Sequence, residues 1–172
     1  MTRTVVLLLR HLVAIAILPC TVVGLVPLWI ARQYDITLRA GETPVEIALQ
    51  YAGIFALVAG ALLFASSVWK FATDGRGTLA PWDPPRMLVI RGPYRLVRNP
   101  MISGVAFALF GEALVWLSVP HAAWAVLFLA LNVVYIPMFE EPRLARRFGQ
   151  AYEVYRRNVP RFLPRAEPWR LR

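Results

Sequence analysis

Charge and cysteine are the scarce ingredients of this chain. Only 17% of its 172 residues are charged, against about 25% in an ordinary soluble domain. The single cysteine, Cys20, excludes an intramolecular disulfide and a Cys-rich metal site. The two histidines, His11 and His121, are far apart, so no metal is expected. Neither an internal repeat nor a low-complexity stretch is seen. What fills the chain is apolar: 58% of residues are hydrophobic and the mean hydropathy is +0.53. That argues against a disordered chain, a fibre and an ordinary cytosolic enzyme. The length allows one domain over 1–172.

The apolar residues come in long runs. Leu12 to Ile30 is uncharged for 19 residues, Ile47 to Trp69 for 23, and Met101 to Phe139 holds only Glu112 in 39. A helix needs roughly 20 apolar residues to cross a bilayer, so the third run reads as two spans broken at Ser118-Val119-Pro120-His121. The expectation is an all-α integral membrane protein with four transmembrane helices, about 10–31, 46–70, 101–118 and 121–139, and a C-terminal amphipathic helix, about 141–158. Pro19 and Pro27 fall inside the first span, where neighbouring helices can satisfy the carbonyls they free. Trp29, Trp69 and Trp116 fall near span ends and Trp124 just inside the fourth, as interfacial aromatics do. The Gly- and Pro-rich stretch Thr73–Pro85 reads as an irregular loop.

The net charge of +9 does not point to nucleic acid, because the basic residues sit between and after the apolar runs. The second loop holds Lys70, Arg76, Arg86, Arg91, Arg95 and Arg98, the hairpin turn holds none, and the tail after Phe139 holds nine arginines. The positive-inside rule puts that loop and the tail in the cytoplasm. Four spans then put the N-terminus there too. The first apolar stretch runs past residue 20, which speaks against a cleaved signal peptide.

Two polar clusters flank the hairpin. Arg91-Gly92-Pro93-Tyr94-Arg95-Leu96-Val97-Arg98-Asn99-Pro100 precedes the third span, and Glu140-Glu141-Pro142 follows the fourth. A hairpin brings both to one interface, where guanidinium groups and carboxylates can hold a zwitterionic ligand. The plainer alternative makes the arginines lipid-facing anchors and the glutamates their salt-bridge partners, through Arg95 or Arg98. In the tail, Leu144, Phe148, Ala151, Tyr152, Tyr155 and Val159 share one helical face. That face either lies on an anionic leaflet or folds back over a ligand pocket. Glu112, mid-span, either contacts a substrate headgroup or is a neutral structural acid bonded to Asn132 or Tyr135. Gly104, Ala108 and Gly111 suggest close helix packing.

The stretch LVIRGPYRLVRNPMISG, a helical hairpin and then FEEPRLARRFGQAYEVYRRNVPRFLP resemble the integral membrane methyltransferases that include isoprenylcysteine carboxyl methyltransferase and the phospholipid N-methyltransferases. The likeness covers roughly Gly75 to Pro164. It implies S-adenosylmethionine as cofactor, in a cytoplasm-facing pocket covered by the C-terminal helix. It implies that Leu88, Val89, Tyr94, Asn99, Pro100, Met101 and Ile102 border the cofactor and that Glu140 binds its polar end. Arg86 and Met87 occupy adjoining matched positions. Glu141 and Arg98 are the candidate catalytic residues and Glu112 the candidate substrate contact. Arg95 and Arg98 are suited to neutralising a carboxylate or a lipid phosphate.

Three departures from the pattern stand out. Asn99 replaces a histidine found in many relatives, and Ile136 stands where the isoprenylcysteine enzymes place an arginine. The extra N-terminal spans of the larger eukaryotic members are missing, as in the short bacterial members. The expected function is methyl transfer to a lipophilic or lipid acceptor (carboxylate, amine or thiol) in a bacterial cytoplasmic membrane, with the membrane as the partner and no nucleic acid. A non-catalytic membrane scaffold or lipid-binding protein is the alternative, and transport has little support.

Overall fold

The computed structural model describes residues 19–75 and 87–170, and every regular element among them is a helix. Arg86, most of the expected loop Thr73–Pro85 and the first expected span before Pro19 lie outside the described residues.

The first helix, α1 (Val26–Gln33), is entered through a π-helical turn at Thr21–Leu25. Proline explains what happens there. Pro27 has no N–H to offer the Val22 carbonyl five residues earlier, and the indole Nε1 of Trp124 donates to that carbonyl at 3.0 Å. His121 Nε2 donates to the Pro27 carbonyl at 3.2 Å, which leaves Nδ1 to accept from the Ser118 hydroxyl at 2.7 Å. Trp124 is therefore used inside the bundle, whereas Trp29 and Trp69 face outward.

The second helix, α2 (Pro44–Asp74), starts at a capping box. Thr43 Oγ1 accepts from the Glu46 amide at 3.2 Å, and Glu46 Oε2 accepts from the Thr43 amide at 3.3 Å. One turn on, the Gln50 amide donates to the carbonyls of Arg39 and of Val115 at 2.7 and 3.0 Å, tying the preceding loop to the far end of the next helix.

That next helix, α3 (Pro100–Val115), is the core of the bundle and touches α2, α4 and the π-turn before α1. Glycine lets α2 and α3 come together. A Cβ on Gly60 would lie 2.6 Å from the Gly104 carbonyl, and one on Gly53 would lie 2.7 Å from that of Gly111. The small-residue face suggested by Gly104, Ala108 and Gly111 is this contact. The helix stops at Val115 because Leu117 turns into the left-handed region at φ 49. Ser118 then caps α4 (Val119–Tyr135), so Pro120 sits in a first turn, where its missing N–H costs nothing.

No break separates α4 from the tail. Pro137 is accommodated by a π-turn at Ile136–Glu140, and the helix continues as α5 (Glu141–Phe148). The reversal comes at Gly149, with φ 53 and ψ −133, a conformation that suits glycine. Then α6 (Gln150–Asn158) returns, followed by an extended segment to residue 170.

Two helical runs, Pro44–Asp74 and Val119–Phe148, are long and apolar enough to cross a membrane, and Pro100–Val115 is a shorter apolar helix. Their outer faces carry Tyr51, Phe55, Leu62 and Trp69 on α2 and Val119, Val126 and Val133 on α4, all exposed. Water-soluble monomers rarely leave so much contiguous apolar surface uncovered.

Candidate functional site

The site forms where four segments meet beneath the bundle. The strip before α3 opens on a 3₁₀ turn, Gly92–Arg95, in which Gly92 takes φ 56 against the Lys70 side chain. Glu140 and Glu141 come from the junction of α4 and α5. Tyr152 and Tyr155 come from α6, and Arg161 from the extended tail.

Glu141 is the centre of the cluster. Its Oε1 accepts from Arg98 Nη1 at 2.9 Å and from Arg161 Nε at 2.7 Å, while Oε2 accepts from Arg161 Nη2 at 3.1 Å. The Glu141 side chain is 5% exposed and that of Arg98 10%. Of the two salt-bridge partners weighed from sequence, Arg98 is the one used. The Arg95 Nε donates to the Trp169 carbonyl at 2.6 Å instead. The Glu141 carboxylate also holds the Arg161 guanidinium firmly protonated, its pKa raised by that hydrogen bond.

The amphipathic face of the tail is spent on protein. Tyr152, Tyr155 and Val159, at 2%, 3% and 1% exposure, pack with Leu88, Ile90, Leu144, Phe148 and Trp169. This face packs on protein and is closed to lipid. Tyr155 donates its hydroxyl proton to the Tyr94 carbonyl at 2.6 Å. Burial raises all three phenols. For Tyr94 the Tyr155 phenol and the Glu140 carboxylate add to it. Tyr152 is pushed up to about 12, chiefly by burial and then by Glu141, with Arg98 pulling the other way. Tyr155 moves up by burial against the opposing field of Arg98.

The other sequence candidates divide. Leu88 joins the tyrosine cluster and Val89 is buried beside Gly75. Met87 is exposed, and its amide donates to the Gly75 carbonyl at 3.4 Å. The Asn99 backbone is committed, its N–H to Arg161 O at 3.2 Å and its carbonyl to the Ser103 amide at 2.9 Å, so only its side-chain amide is left for a ligand. Pro100 is fully buried, and Met101 and Ile102 are half-buried on the first turn of α3. Glu140 is half-buried and forms no ion pair among the described residues. Glu112 is not brought to this cluster: twelve residues beyond Pro100 on α3, it is displaced by roughly 18 Å of helix rise. Its Oε2 is buried without a partner among the described residues, and the Asn132 amide donates to the Phe128 carbonyl instead. Ile136, 1% exposed, is a packed side chain of the π-turn.

Sequence reasoning missed Arg161. The signal available was Gly149 interrupting an otherwise continuous amphipathic pattern. A reversal there sends α6 back, so that Val159–Arg161 arrives beside Arg98.

Among the described residues every regular element is a helix, two helical runs are long and apolar enough to cross a membrane, and an arginine–carboxylate cluster lies at one end, the make-up of a helical membrane protein. The sequence profile of the phospholipid methyltransferase family matches residues 49–151, and the chain belongs to that family. It is also 36% identical over 75 residues to methanethiol S-methyltransferase 2 of Bradyrhizobium diazoefficiens, a match covering 42% of this chain and 27% of that protein. No solved structure is a significant match.

Proposed function

We propose that this methyltransferase uses S-adenosylmethionine and acts on a lipophilic or lipid acceptor at the cytoplasmic face of a bacterial membrane, as a single domain with four spans and both termini inside. The observation that carries this reading is the contact of Arg98 with Glu141, which draws the Tyr94–Ile102 strip and the Glu140–Glu141 pair to one place.

The residues present suit such a donor. Arg98 Nε is buried with no partner among the described residues, and Glu140 forms no ion pair there. A guanidinium and a carboxylate drawn from the same cluster complement an α-carboxylate and an α-ammonium group. When bound, the cofactor supplies a methyl group activated on a sulfonium sulfur. The chain contributes position. Arg98 and Glu140 hold the amino-acid end, with Tyr94, Leu88 and Val89 and the Asn99–Ile102 turn as the border. Placing two reactants in line is worth several powers of ten in rate. A thiolate or carboxylate acceptor needs no base, whereas an amine passes its proton to a carboxylate; both oxygens of Glu141, the candidate named from sequence, are engaged by arginines, which leaves Glu140 the freer carboxylate for that step. The name of the Bradyrhizobium relative favours a thiol among these acceptors.

Calorimetry with S-adenosylhomocysteine and the purified protein in detergent tests the reading. The protein is expected to bind, and Glu140→Ala to lose about tenfold or more in affinity, or ~1.4 kcal/mol. An absence of binding by the unsubstituted chain would overturn the proposal. The packed Ile136 in place of a guanidinium favours a second reading, a non-catalytic lipid-binding scaffold. Binding without methyl transfer to any component of a total lipid and small-molecule extract is its signature.

A further inference from the structure

The segment after α6 is held to the strip before α3 along most of its length. The Arg98 amide donates to the Pro160 carbonyl at 2.8 Å and the Asn99 amide to the Arg161 carbonyl at 3.2 Å. In the other direction, the Arg165 amide donates to the Leu96 carbonyl at 3.0 Å and the Trp169 amide to that of Arg95 at 2.9 Å. Ser103 Oγ adds a bond to the Phe162 carbonyl at 2.7 Å. Near the start of this strap, Arg161 grips both oxygens of Glu141. Glu141 shares Oε1 between Arg161 and Arg98, so the three side chains form one unit drawn from three separate segments.

We propose that Arg161 is a positioning residue for the methyl-donor site: it fixes Glu141 by a two-pronged contact, and Glu141 in turn fixes Arg98. This rests on the proposed function above, and it concerns a residue beyond the 49–151 stretch that matches the family. A guanidinium fork holds a carboxylate in one orientation, which an ammonium at the same place does not. Without it, Glu141 keeps Arg98 as partner but is free to turn about a single hydrogen bond, and Arg98 turns with it. The strap's backbone bonds remain, so the chain stays folded.

The test compares Arg161→Gln, Arg161→Lys and Arg161→Gly with Arg165→Gln, whose lost side-chain contact is to the Asn158 carbonyl. With S-adenosylhomocysteine as probe, Arg161→Gln is expected to weaken binding about tenfold, on the scale of one charge-assisted hydrogen bond, and Arg161→Lys to recover only part. Added methylguanidinium should restore binding to Arg161→Gly, an effect that a merely structural role would not produce. Arg165→Gln should bind as the unsubstituted chain does. Equal affinity in Arg161→Gln and the unsubstituted chain overturns the inference while leaving the proposed function standing. If the unsubstituted chain binds nothing, the proposed function fails, and this inference with it.

Discussion

Glu112 Oε2 is a buried carboxyl oxygen with no partner among the described residues, in a helix of mostly apolar side chains. Leaving such an atom unsatisfied costs about 1–3 kcal/mol, and an acid within an apolar span adds to that. Glu112→Leu is therefore expected to raise the thermal unfolding midpoint in detergent. Because the residue sits so far along α3 from Pro100, the affinity for S-adenosylhomocysteine should stay the same. A lower midpoint would show that the carboxyl has a partner in the folded chain. The role of Glu141 is the opposite case. The family resemblance gave the two glutamates different roles, but the sequence did not show their different partners: Glu141 is fully engaged by two arginines and Glu140 forms no ion pair among the described residues. That difference depends on Arg161, which hydropathy and spacing mark only as one more basic residue of the tail.

Among the elements, α2 and α3 depend on the absence of side chains at their crossing. Gly60→Val would drive methyl groups against the Gly104 backbone, where even a Cβ comes within 2.6 Å of the carbonyl. The helices must then separate. The expected loss is about 1–3 kcal/mol, read as a lower denaturation midpoint. The contact between α1 and α4 works through hydrogen bonding. Trp124→Phe keeps an aromatic ring but leaves the Val22 carbonyl without its 3.0 Å donor. The expected loss is again about 1–3 kcal/mol, checked by unfolding, with proteolysis localising the effect to the α1 end. Prolines were visible in the sequence as points needing compensation. Which side chain would supply it was not, because Trp124 is about a hundred residues from Val22.

At the scale of the whole molecule, the returning tail joins one end of the bundle to the strip before α3, and three buried tyrosines lie at the joint. A phenol whose folded pKa exceeds its unfolded value of about 10 stabilises the fold fully below pH 10. That contribution is lost as the pH rises towards the folded value, about 12 for Tyr152. Tyr94 and Tyr155 are shifted in the same direction. Stability is thus expected to decline above about pH 10, with tyrosinate absorbance at these positions rising later than in the unfolded chain. Tyrosinate formation near pH 10 by all the tyrosines of the folded protein would contradict a docked tail.

Sequence alone determined the helical character, the apolar runs and the basic segments that bound them, because each is a property of neighbours along the chain. Hydropathy and charge need no knowledge of what lies across from a residue. It also determined that the two polar clusters flank a hairpin, and so their common end. Only the tertiary structure decided that the helix of the expected fourth span runs on through Pro137 to Phe148 and that the chain reverses at Gly149, where a single helix over 141–158 was expected. It also decided that the tail covers protein rather than lipid, and that Arg161 closes on Glu141. Those outcomes turn on one chain reversal and on contacts between distant segments, whose energies do not exist until the backbone has brought them within hydrogen-bonding reach.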